Sequence, residues 1–112
     1  KANDRHAFLA AIPPLLAKAA HEYEESIKDG RFVEVEEYQD ARGFILNARD
    51  EILSAGPALR PKDAAAYAEL VVLFDEIAAV MATPVPSGPP TVSPSEIYGR
   101  IARIELSLNK LK

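Results

Sequence analysis

Between His21 and Phe44 the chain gathers its side chains with the greatest capacity for chemistry. Eight acids fall in residues 21–40: Glu22, Glu24, Glu25, Asp29, Glu34, Glu36, Glu37 and Asp40. Only Lys28 and Arg31 oppose them, a local charge of −6 in a chain whose net charge is −4. Tyr23 and Tyr38 lie in the same stretch. Carboxylate and phenol oxygens brought together are the ligand set of a hard cation such as iron, manganese or calcium. The same acids, left in solvent, make a docking surface for a basic partner. A plainer reading has a solvated acidic face beside tyrosines that cap a core with their hydroxyls in water.

Helical-wheel arithmetic at about 100° per residue sorts these residues. Relative to Tyr38, Glu34 falls on the apolar stripe and Glu37 on its flank. Relative to Tyr23, Glu24 is a flank residue, whereas His21 and Glu25 point away. If the turn after the first helix is placed at the top of a bundle, the fourth helix begins there with Tyr98 and the third ends there with Met81. The expected metal ligands are therefore Glu24, Glu34 and Glu37, with Tyr23, Tyr38 and Tyr98 shaping the site. A pocket between Tyr23, Tyr38, Tyr98 and Met81 would instead suit a small organic ligand.

Other chemistries fail on residue type or spacing. The absence of cysteine removes disulfides, thiolate metal sites, iron–sulfur clusters, covalent c-type haem and thiol nucleophiles. The only histidines are His6 and His21, so the paired Glu-x-x-His signature of di-iron bundles is missing. A calcium loop with Gly30 in its sixth place would put Ile27 in a ligand position, which Ile27 cannot fill. No serine has a histidine partner for nucleophilic catalysis, and Ser93 is engaged as a helix cap. The basic residues form no contiguous face with stacking aromatics, so a nucleic-acid binder is not expected. The chain reads as a non-enzyme.

The elements that must position the cluster are helices. The first is expected over about 3–28, with Asn3 as its cap and a break or kink at Pro13-Pro14. Its apolar face is Ile12, Leu16, Ala19, Ala20, Tyr23 and Ile27, and Asp29-Gly30 stops it. The second, about 34–54, carries the stripe Tyr38, Ala41, Ile45, Ala48 and Ile52 and ends at Gly56-Pro57. The third, about 61–82, turns Tyr67, Leu70, Val71, Phe74, Ile77, Ala78 and Met81 inward. The segment 83–93 holds Pro84, Pro86, Pro89 and Pro90 and reads as a stiff crossover. The fourth, about 94–110, opens on the capping box Ser93-Pro94-Ser95-Glu96 and keeps Ile97, Ile101, Ile104, Leu108 and Leu111 on one face. Glu105 flanks that face and is expected to pair with Arg42 or Arg49. No strand is expected.

Four amphipathic helices over 112 residues make one domain, all-α, most economically an antiparallel up-down-up-down four-helix bundle. No apolar run reaches the length of a membrane span, because Asp75 and Glu76 interrupt the best candidate. The numbering opens at Lys1 without an initiator Met, so any secretory leader would precede it.

The stretch His21–Phe44 also resembles a known family. The residues that carry the resemblance are Glu22-Tyr23, Asp29-Gly30 followed by Val33, then Glu37-Tyr38, Asp40 and Phe44. In this order they are similar to the helical extracytoplasmic domain that precedes the membrane part of some bacterial high-affinity iron permeases, often beside a cytochrome c module. The Arg-Glu-x-x-Glu iron motif of the permease itself is absent here. The resemblance implies a periplasmic companion domain or free-standing relative that assists iron capture, redox handling or handover, with an iron permease or a cytochrome c module as partner. The leading expectation is thus a non-catalytic module of an iron-uptake system that binds iron or docks a transport partner. The alternative is an interaction bundle with an acidic docking end and no metal.

Overall fold

A computed structural model describes residues 2–112, with side chains from Arg5 onward; the Asn3 cap expected above lies outside the described side chains. Helix α1 is Ala2–Glu25, and a hairpin of β1, Ile27–Lys28, and β2, Arg31–Phe32, follows it. Then come α2, Val35–Ser54, the single turn α3, Gly56–Leu59, α4, Ala64–Val80, and α5, Pro94–Asn109. The four long helices build a rod of 45 × 20 × 19 Å.

Each long helix buries most of its expected stripe, while Ile27, now in β1, and Val71 and Ala78 of the third long helix are only half-buried. Tyr38, Ala41, Ile45, Ala48 and Ile52 are the buried residues of α2. In α1, Leu9, Ile12, Leu16, Ala19, Ala20 and Tyr23 are buried, and in α5 Ile97, Ile101, Ile104 and Leu108. The small side chains of Ala19, Ala20, Ala41 and Ala48 let α1 and α2 approach closely, and these two form the most extensive helix pair. Around the bundle α1 packs on α2 and α5, α2 on α4, and α4 on α5. Long-range contacts bring the end of α1, the start of α2, the end of α4 and the start of α5 to one end of the rod.

Several boundaries differ from the sequence expectation. Helical structure is continuous through Pro13 and Pro14, so α1 is not divided into a lead-in and a second helix. The two prolines lack the N–H groups that would bond the carbonyls of Leu9 and Ala10. Burial of Leu9, Ile12 and Leu16 against the core carries the helix across this gap. At its other end α1 stops at Glu25, and Asp29-Gly30 is the turn of a hairpin, with Ile27 opposite Phe32 and Lys28 opposite Arg31. Both turn residues have positive φ, 53° and 73°, as a two-residue type I′ loop requires. The expectation of no strand is corrected by this short ribbon.

The third long helix begins at Ala64, not near Pro61, because Asp63 caps it by accepting a 2.9 Å hydrogen bond from the Ala66 N–H. Asp63→Ala is expected to cost about 1 kcal/mol, the usual worth of such a cap, measured by chemical denaturation. Between Ser54 and that cap the chain makes α3, where a Cβ on Gly56 would stand 2.7 Å from the Tyr67 hydroxyl. Ser93 accepts the Glu96 N–H at 3.2 Å as the capping box anticipates, but the Glu96 carboxylate turns to Arg100 at 2.8 Å. Glu105 pairs with neither expected arginine. From α2, Arg42 donates to the Met81 carbonyl and Arg49 to Asp75, both towards α4, while α5 packs on α1 and α4.

Candidate functional site

The end where α1, the hairpin, α2 and the proline segment meet contains the tyrosines that the wheel brought together. Tyr23 is fully buried and donates its hydroxyl to the Val92 carbonyl at 2.6 Å. Tyr38, also buried, donates to the Thr83 carbonyl at 2.8 Å. Arg42 Nε adds a 3.0 Å bond to the Met81 carbonyl. Two phenols and one guanidinium thereby tie both ends of the 83–93 connector to the bundle. This contact fits the chemistry of the segment. Prolines leave carbonyls without neighbouring N–H donors, and each carbonyl must find a partner elsewhere.

Phe32, which the sequence reading passed over, sits between the two tyrosines. Its ring is edge-on to Tyr23 at 5.9 Å and to Tyr38 at 5.1 Å between centroids. Asp-Gly flanked by apolar Ile27 and Phe32 was the available signal, since that pair in a two-residue loop marks a hairpin. The hairpin delivers Phe32 to the bundle end. Ser26 fixes its base, donating Oγ–H to the Tyr23 carbonyl at 2.6 Å and accepting the Val33 N–H at 2.8 Å.

The three expected carboxylate ligands are not brought together. Among the described residues no three side chains of His, Asp or Glu converge as a metal site. Glu34 was expected on the apolar stripe but is exposed, because α2 begins one residue later and leaves it outside the helix. Glu24 is exposed and accepts a 3.3 Å hydrogen bond from the Tyr98 hydroxyl. Glu37 is half-buried on the flank, as expected, and its Oε2 is enclosed without a hydrogen-bond partner. His21 and Glu25 point outward and face each other at 3.4 Å.

The phenols also differ in their electrostatics. Burial away from water is the main reason the Tyr23 hydroxyl is pushed up to about 12, with the neighbouring Tyr38 and Glu96 adding to it and Arg100 opposing. Partial burial and the Glu24 carboxylate push Tyr98 up as well. Tyr23, Tyr38 and Met81 are packed into the core and Tyr98 is 44% exposed outside it, so the four do not line a common cavity.

Open space lies on the other side of Tyr38. A groove of about 340 Å³ is bounded by Phe32, Tyr38, Ala79, Val80, Thr83 and the connector from Pro86 to Thr91. A shallower one of about 640 Å³ continues past Phe32 between Arg31, Val35, Val85 and Pro86. Both are lined mainly by aliphatic, aromatic and proline side chains.

Comparison with known families decides what the bundle is. The family described as "Iron permease-associated 4-helix bundle domain" matches residues 1–112, the whole chain. The chain belongs to this family. No curated protein and no solved structure matches it. The resemblance carried by His21–Phe44 therefore extends over the entire iron permease-associated bundle, and the all-α four-helix expectation agrees with both the family and the structure. The family description names a permease and says nothing of a cytochrome c module. Among the described residues, no helix of this permease-associated domain is long and apolar enough to cross a membrane.

Proposed function

We propose that this iron permease-associated domain is a non-catalytic docking module on the extracytoplasmic side of a bacterial iron-uptake system. The observation that carries the reading is the family match over residues 1–112, which ties the whole domain to iron permeases. The geometry favours docking over iron capture. The phenols of Tyr23 and Tyr38 are engaged with backbone carbonyls, and the candidate carboxylates are dispersed. What the same hydrogen bonds do build is a rigid, contoured end, the kind of surface that binds a partner without large ordering losses.

The test pairs two titrations of the metal-stripped domain. Against detergent-solubilised iron permease, saturable binding is expected, weaker at high salt because the acids at this end contribute through screened attraction. Against ferrous iron and a soluble ferric chelate, calorimetry is expected to show no saturable heat, with wild type and Glu37→Ala indistinguishable. Absence of permease binding would overturn the docking reading.

One observation favours the metal reading, namely the enclosed, unpartnered Oε2 of Glu37. Its signature would be one-site iron binding that is lost in Glu37→Ala while the helical circular dichroism is retained. Glu24 and Glu34 would then have to swing inward to join Glu37.

A further inference from the structure

Two exposed aliphatic side chains meet where the hairpin faces the connector. Val35 is 45% and Val85 53% exposed, and both line the 640 Å³ groove with Phe32 and Pro86 between them. Contiguous apolar surface of this kind marks a contact site more often than stray exposure does. The walls are pre-formed. Phe32 is held between two tyrosine rings, and the connector is tied at Met81, Thr83 and Val92. A partner seated here would not have to order them.

Charge states what that partner carries. Glu34 and Glu36 flank Val35 in sequence and are exposed, and neither forms an ion pair among the described residues. Exposed carboxylates without ion-pair partners attract an approaching cation. The same field opposes an anionic lipid surface or a nucleic acid. Arg31 stands at the hairpin edge of the groove, so the cations of a partner belong at the α2 edge.

We propose that this groove docks a polypeptide segment bearing aliphatic side chains next to lysine or arginine. Its aliphatic groups rest on Val35 and Val85, and its cations face Glu34 and Glu36. The proposal rests on the docking reading above and adds to it the surface used and the chemistry of the segment received.

The probe is a fluorescein-labelled peptide of leucine and lysine, compared with its counterpart in which glutamate replaces lysine. Binding to the 112-residue chain is followed by fluorescence anisotropy. The lysine peptide is expected to bind with an affinity that falls as salt rises, and the glutamate peptide not to bind. A Val35→Ser, Val85→Ser double variant, whose changes lie on the surface and leave the circular dichroism intact, should bind about tenfold more weakly or worse. Neutralising the rim with Glu34→Gln and Glu36→Gln should weaken binding and flatten its salt dependence. No binding by the wild-type chain, equal binding of the glutamate peptide, or binding untouched by the valine pair would each overturn the groove.

A parallel titration with solubilised permease separates the two levels. Peptide binding without permease binding refutes the permease reading and leaves the groove standing. Permease binding that ignores the valine pair refutes the groove and leaves the permease reading standing.

Discussion

Tyr23→Ala should lower folding stability by about 3–5 kcal/mol, the range for truncating a large buried aromatic. In a domain of this size that corresponds to a fall in thermal midpoint of more than about 10 °C by circular dichroism. Three contacts are lost together. The ring no longer fills the end of the α1–α5 interface, Phe32 loses one of its two edge-on partners, and the Val92 carbonyl loses its donor at 2.6 Å.

Tyr23→Phe separates the last contact from the others. It keeps the ring and leaves the Val92 carbonyl without its partner, at a cost of about 1–3 kcal/mol for a buried group left unsatisfied. Hydrogen exchange at Val92 and Ser93 should quicken in this variant while the middle of α2 stays protected. If Tyr23→Ala melted within a degree or two of wild type, the phenol would have no structural role. The case for Tyr23 as part of a ligand site would then reopen.

The second large effect is alkaline. Tyr23 titrates near 10 when unfolded and about 12 in the folded chain, chiefly because burial disfavours the phenolate. The folded state thus holds the proton more tightly than the unfolded state does. The stability this confers is complete below pH 10 and is lost as the pH rises from 10 to about 12. The displacement corresponds to roughly 2–3 kcal/mol. Denaturant midpoints measured across that window should fall steeply in wild type and more gently in Tyr23→Phe. An absorbance titration of the phenolates should show a late-ionising tyrosine that is missing in the variant. Parallel pH profiles for the two proteins would contradict the assignment.

The tyrosine cluster shows how far the chain could be read before its structure. Helical period and the punctuation at Gly30, Gly56 and Ser93 were enough to draw Tyr23 and Tyr38 to one end. Their role was not legible, because their hydroxyl partners lie 69 and 45 residues away in sequence. From residue types alone, phenols beside carboxylates suggest a metal site. With the fold in place, the nearest acceptors for those phenols are the carbonyls of a proline-rich segment that cannot bond to itself.

The carboxylates illustrate the opposite case. Glu37 sits on the flank where the wheel put it, whereas Glu34 was assigned one residue inside a helix that begins after it. A residue just outside the helix no longer follows the step of about 100°, and Glu34, extended at φ −125° and ψ 96°, turns to solvent instead of onto the stripe. Phe32 was missed for a related reason. Asp29-Gly30 serves equally as a helix stop and as a hairpin turn, and local chemistry does not choose between them. The choice is made by the packing of Phe32 between two rings that belong to different helices.

What the sequence by itself determined is the set of buried stripes, the caps at the start of α5 and the crowding of acids at one end. Each depends on periodicity or on neighbours within a turn, which the order of residues states directly. Only the tertiary structure decided that the prolines of α1 leave it unbroken, that the tyrosines clamp the connector, and that Val35 and Val85 face a common groove. Those outcomes depend on contacts between residues far apart in the chain, where close packing and the need to satisfy every buried polar group select among conformations that local preference leaves equal.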